Sequence, residues 1–269
     1  MRQISAALLV GICCFYMFQL ATFKQTHVGT YIPGLGGYST LTGELIDTND
    51  YIADNRVFST YATGLETVSG QFQPTGYDYI IHALGKETQE GYARRFSEGD
   101  FPYAHTSALP VENWVANQNW YFYRLLLAEY SQVNKTEYGW LWKKGGAEHI
   151  DADVTVSIVQ ADSGTVKIVC RSENKDEFIA DVQIQFSSAF NNLTDRLLSL
   201  NRKAVLVSTT CTSSPDLVSI AFPGNSTEYI PIKMSDGYGE AVVRGGYGGG
   251  IDVHVHDAKY IGALPVLNY

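Results

Sequence analysis

The stretch from Asp153 to Cys170 limits the fold of this chain more than any other. Asp153 to Gln160 (DVTVSIVQ) sets Val154, Val156 and Ile158 at every second position, with polar residues between them. A period of two puts all three on one side of an extended strand, whereas a helix would scatter them. Ala161-Asp162-Ser163-Gly164 then reads as a turn, and Thr165 to Cys170 (TVKIVC) returns with a second apolar run. The segment is expected to be an antiparallel hairpin.

Similar runs follow at Phe178 to Phe186, Ala204 to Thr210, Leu217 to Phe222, Tyr229 to Lys233, Glu240 to Arg244 and Ile251 to His256. Between them, Ser188 to Asn201 has the pattern of a short amphipathic helix. Residues 148–269 are therefore expected to form a β-rich domain, an antiparallel sheet or sandwich with one inserted helix. Residues 25–147 read as a mixed, aromatic-rich region. In it Pro33 to Gly37 (PGLGG) is a turn, Val57 to Tyr61 and Leu65 to Phe72 are short β-like pieces, and Tyr77 to Arg95 leans towards helix. Pro110 to Gln132 predicts one long amphipathic helix, with Trp114, Asn117, Tyr121, Leu125 and Ala128 on one face and Leu126 and Leu127 widening it. Its aromatic residues favour packing on the sheet over an exposed sugar-stacking or partner-binding surface. The turn-rich Gly139 to Gly146 (GWLWKKGG) marks a boundary near residue 148. The fold class expected is α+β and β-rich.

At the other end, Gln3 to Phe23 carries no charge, and Ala6 to Phe18 is continuously apolar or aromatic. Residues 1–24 are thus a hydrophobic helix, either a signal-anchor or a signal peptide. A cleavage site needs small residues at the last and third-last positions, but Gln19 stands two before Ala21, which favours retention. Ile12 before Cys13 and Cys14 argues against lipidation. Arg2 stays inside by the positive-inside rule, placing the body outside the cytoplasm as in a type II single-pass protein, or in a secreted one if cleavage occurs.

The net charge of −9 argues against a broad basic face, so nucleic acid is not an expected partner. The membrane and other protein subunits are. Cys170 and Cys211, at the ends of two apparent strands, are expected to form a disulfide, the alternative being two buried thiols. Asn134, Asn192 and Asn225 head glycosylation sequons.

Two short segments carry family resemblances. Gly249 to Asp257 (GGIDVHVHD) resembles the metal-binding segment of the amidohydrolase superfamily, which implies His254 and His256 as ligands of a divalent metal that activates water. That motif opens a long barrel, whereas twelve residues follow Asp257, so a solvated strand face is the favoured reading. His149 to Asp153 (HIDAD) looks like the D-x-D motif of type II Golgi glycosyltransferases, which implies that Asp151 and Asp153 hold a metal bound to a nucleotide-sugar. It precedes an alternating strand and lacks the nucleotide-binding βα context, which favours solvated carboxylates. No cofactor is expected. The function expected is that of a non-catalytic, membrane-anchored extracytoplasmic structural or accessory subunit of an envelope, virion or membrane complex. The alternatives are a type II glycosyltransferase or small metal-dependent hydrolase, and a secreted glycan- or receptor-binding module.

Overall fold

A computed structural model of the chain describes residues 11–19, 30–32, 37–39, 48–61, 65–66, 69–71, 75–107, 112–135, 139–162, 164–190, 205–209, 216–221, 224–246 and 251–267. The chain is β-rich, with antiparallel sheets and few helices. It divides into two compact units, residues 1–53 with 63–72, and residues 54–62 with 73–269.

In the first unit, residues 11–19 are helical and leave Ile12, Phe15, Tyr16, Met17 and Phe18 exposed. β1 (Thr30–Ile32) pairs antiparallel with β2 (Gly37–Ser39), and the rest of the PGLGG segment lies outside the described residues. Leu65, Glu66 and Ser69 are helical rather than β-like, and the Gly70 N–H donates to the Glu66 carbonyl at 2.8 Å. The Leu-Glu-Thr-Val run there has mixed propensity, and a local helical hydrogen bond takes the place of a ladder.

The larger unit contains two sheets around one apolar core. Five strands run in the order β11 (Asp216–Ala221), β10 (Val205–Thr209), β13 (Tyr238–Gly245), β8 (Thr165–Ser172) and β7 (Val154–Asp162). Three run as β12 (Asn225–Met234), β9 (Phe178–Phe190) and β14 (Ile251–Leu264). Alternation brings Val166, Ile168, Ala241 and Val243 of the first sheet against Val182, Ile184, Ile230, Ile232 and Val253 of the second, all at most 1% exposed. This is a sandwich-like arrangement. The hairpin expected at residues 153–170 is β7 and β8, in the register Val156↔Cys170 and Ile158↔Ile168. The expected helix at Ser188 to Asn201 begins inside β9, which runs on to Phe190, and its remainder lies outside the described residues.

A second core lies on the outer side of the three-stranded sheet. It is built by β3 (Val57–Ser59), β4 (Tyr103–Ser107), β5 (Tyr130–Lys135) and β6 (Gly139–Lys144) in the order β3-β4-β6-β5, with helices α1 (Lys86–Glu98), α2 (Glu112–Gln118) and α3 (Trp120–Glu129). Phe58 is its hub, with the rings of Tyr92, Phe96, Phe101 and Phe122 between 5.0 and 5.7 Å away. Ile179, Leu264 and Leu267 join this core, so β9 and β14 serve both.

The long helix expected over Pro110 to Gln132 is two helices. Asn119 leaves helical geometry (φ −110°, ψ 40°), and the chain becomes extended at Tyr130. The break resets the phase, so the buried side is Trp120, Phe122, Tyr123, Leu126 and Leu127, while Ala128 is exposed and Tyr121 and Leu125 are half-buried. GWLWKK is strand β6, not a turn, with Trp140, Leu141 and Trp142 all buried.

Candidate functional site

The densest polar constellation lies where α3 meets the outer side of β9 and β12. Asp181 stands in β9, where alternation turns it away from the sandwich core and under α3. Its carboxylate is 3% exposed and accepts from Trp120 Nε1 (2.9 Å) and from Arg124 Nε (2.9 Å) and Nη2 (2.6 Å). Trp120 and Arg124 are four residues apart, so one helical face delivers both donors. The Arg124 guanidinium covers the Tyr229 ring at 4.0 Å, and Gln183 donates to the Tyr229 hydroxyl.

Glu228 of β12 is the second buried carboxylate of this seam, at 2% exposure. Tyr121 Oη donates to it at 2.9 Å, Ser226 Oγ also donates, and Lys86 Nζ of α1 lies 3.6 Å away. Desolvation raises the Glu228 pKa above the ordinary carboxylate range, against the opposing hydrogen bonds and the Lys86 charge. Tyr121 is pushed up by burial first and then by the Glu228 charge. Asp181 is held as a charge-assisted acceptor, and Glu228 is a site where a proton binds more readily than on a solvated carboxylate. Their shared effect is to lock α1 and α3 onto the sandwich. Neither carboxylate belongs to a sequence motif. The available signal was an acidic residue in an otherwise apolar strand, Asp181 in FIADVQIQF and Glu228 in TEYIPIK.

Asp151 and Asp153 lie on an open groove of about 690 Å³, lined also by Thr155, Arg171, Ser172, Glu173 and Asn174. Asn174 Nδ2 donates to the Asp151 carbonyl, and Tyr260 Oη donates to that of Ala152 at 2.8 Å. The Arg171 guanidinium sits 5.6 Å from the Tyr238 ring. Tyr260 is raised by burial and by the charges of Asp153 and Asp151. The groove offers both donors and acceptors to a polar ligand.

His254 and His256 are exposed on β14. The ladder with β9 shifts between Val255 and Asp257, so His256 is a bulge residue, and its Nε2 lies 2.7 Å from Ser187 Oγ. His254 is paired directly with Ser187, so both rings lie beside the same serine. Among the described residues, no three His, Cys, Asp or Glu side chains are grouped so as to hold a metal ion.

Cys170 is fully buried, and burial pushes its thiol up to about 12. Cys211 lies outside the described residues, and no disulfide is seen among those described. Asn134 and Asn225 are exposed, and Asn192 is not among the described residues. A further buried titratable group, His105 of β4, lies with Nδ1 3.0 Å from Ser59 Oγ of β3, and Ser59 donates onward to the Tyr61 carbonyl. Burial lowers the His105 pKa to about 4, so the ring is neutral at physiological pH. No protein-family model matches this chain, and no curated protein is significantly similar to it.

Proposed function

We propose that this protein is a membrane-tethered, extracytoplasmic structural or accessory subunit whose β-rich body supplies a recognition surface to a larger assembly. The observation that carries the reading is the helix at residues 11–19, whose Ile12, Phe15, Tyr16, Met17 and Phe18 are between 48% and 69% exposed. Burying an apolar side chain of that size is worth about 1.5–3 kcal/mol, so five together on a short helix favour lipid over water. No helix among the described residues is by itself long and apolar enough to cross a membrane. The tether in this reading is the longer uncharged segment Gln3 to Phe23.

Cys13 and Cys14, exposed on the same helix, allow a direct test. In sealed membranes carrying the full chain, a membrane-impermeant maleimide should leave both unlabelled until detergent is added. External protease should digest the body, and alkaline carbonate should not release the chain. Labelling without detergent, together with release by carbonate, would sink the tether.

A second reading, a glycan-binding module, draws on the Asp151–Asn174 groove. Carboxylates, a carboxamide and a guanidinium are the groups that hydrogen-bond vicinal hydroxyls. Calorimetric titration with neutral and amino oligosaccharides should show binding that Arg171→Ala or Asp153→Ala removes, and heats unchanged by both substitutions would exclude it.

A further inference from the structure

The exposed edges of the larger unit's sheets differ in how they are protected. A strand edge presents unpaired backbone groups, and natural edges are blunted by charge, proline or bulges. β14 carries His254, His256, Asp257 and Lys259 and has two bulges. β5 has a bulge at Gln132/Asn134 and ends on Lys135, and β12 contains Pro231 and is covered through Lys86 and Tyr121. β7 differs from all three. Its one strand neighbour among the described residues is β8, and Val154 to Ala161 (VTVSIVQA) contains no charge and no proline. Its ladder shift comes only at Gln160/Asp162. Ile158 is 37% and Val159 46% exposed.

We propose that β7 pairs antiparallel with β7 of a second copy of this chain, about a twofold axis at Ile158, joining two five-stranded sheets into one. The charge pattern selects both the occupant and the direction. With Ile158 on the axis, Val159 faces Ser157 and Gln160 faces Val156, so no like charges stand opposite. A parallel pairing in register would align Asp153 with Asp153, and like charges across a ladder repel. An antiparallel twofold is also the closed, isologous arrangement that leaves no new edge open at the contact.

The inner side of the sheet supports the same register. Ile158 is opposite Ile168, which is fully buried in the sandwich core, so the apolar row of the core runs outward and stops at a part-exposed isoleucine. The partner's Ile158 continues that row and covers its end. On the outer side, Val159 gains cover from the partner strand.

Disulfide trapping in the full chain tests this pairing. In a Cys13→Ser/Cys14→Ser background, Ile158→Cys brings two thiols to directly opposed positions, where Cα atoms about 4.5–5.5 Å apart allow a disulfide. Val154→Cys would separate the two thiols by eight residue steps, about 27 Å. Mild oxidation of membranes or of detergent-solubilised protein should give about tenfold more covalent dimer with Ile158→Cys than with Val154→Cys, since only the first meets the geometric limit. Without oxidation, light scattering should find twice the chain mass, reduced to that of a single chain by Val159→Lys. Four results would overturn the proposal: no dimer with Ile158→Cys, equal dimer from both positions, capture by position 158 of another protein or of the chain's own Cys211, or a dimer mass unaffected by Val159→Lys.

Discussion

His105 and Glu228 are buried ionisable groups whose shifts act in opposite directions on stability. For His105 the folded pKa is lowered to about 4 from 6.5, so below 6.5 the unfolded chain binds the proton more tightly. Its contribution is complete above about pH 6.5 and is lost as pH falls towards 4, a total of about 3 kcal/mol for two to three pKa units. Urea unfolding between pH 7.5 and 4 should show this slope, and His105→Gln, which can still hydrogen-bond Ser59, should flatten it. An unchanged slope would mean that other groups carry the acid sensitivity. For Glu228 the folded pKa is raised, so the ionised carboxylate costs stability at neutral pH and that cost disappears as pH falls through the raised value. Glu228→Gln should therefore unfold at the same or a higher urea concentration than the parent at pH 7. Glu228→Ala, which removes the acceptor of Tyr121 and Ser226, should lose about 1–3 kcal/mol.

At the level of elements, α3 is held both by its buried apolar side and by a buried ion pair. Removing the Asp181 carboxylate leaves Trp120 Nε1 and the mostly buried Arg124 without their acceptor, and breaking such a pair costs about 3–5 kcal/mol. Asp181→Ala should lower stability by that amount, and adding Arg124→Met should restore part of it. A strictly additive double variant would show that the two do not interact. The sequence made the sandwich strands readable because one side of each faces a core and the other faces water or a second layer, so Val166, Ile168 and Cys170 alternate with Lys167, Val169 and Arg171. It hid β4 and β6 for the converse reason. Both are buried on successive residues, Ala104 to Ser107 and Gly139 to Trp142, and such runs have no period. The break at Asn119 was equally hidden, since no proline or glycine marks it. The seam was invisible because it unites α1, α3, β9 and β12, residues 86 to 228, and no local spacing encodes that meeting. Asp151 and Asp153, chosen for their spacing, do line a groove, and His254 and His256 both lie beside Ser187 next to a bulge that an alternating sequence cannot announce.

Across the whole molecule, the two cores share β9 and β14, so the larger unit should unfold as one. All four tryptophans, Trp114, Trp120, Trp140 and Trp142, lie in the helical half, whereas Cys170 reports on the sandwich. Tryptophan fluorescence and the alkylation of Cys170 should therefore change at the same urea concentration. Two separated midpoints would show that the halves melt independently. The segment 54–62 has a different consequence. It belongs to the larger unit, yet the residues before it (1–53) and after it (63–72) belong to the other, so the backbone crosses between the units at 53/54, 62/63 and 72/73. Under tension from a tethered N-terminus, the first element of the body to bear load is β3. It holds by the Val57↔Tyr103, Phe58↔Ala104 and Ser59↔His105 pairs, by the Phe58 ring cluster and by the Ser59–His105 hydrogen bond. If the N-terminus is tethered as proposed, that hold rests on three residues, of which Phe58 sits in the aromatic core, and acid that charges His105 would weaken the grip.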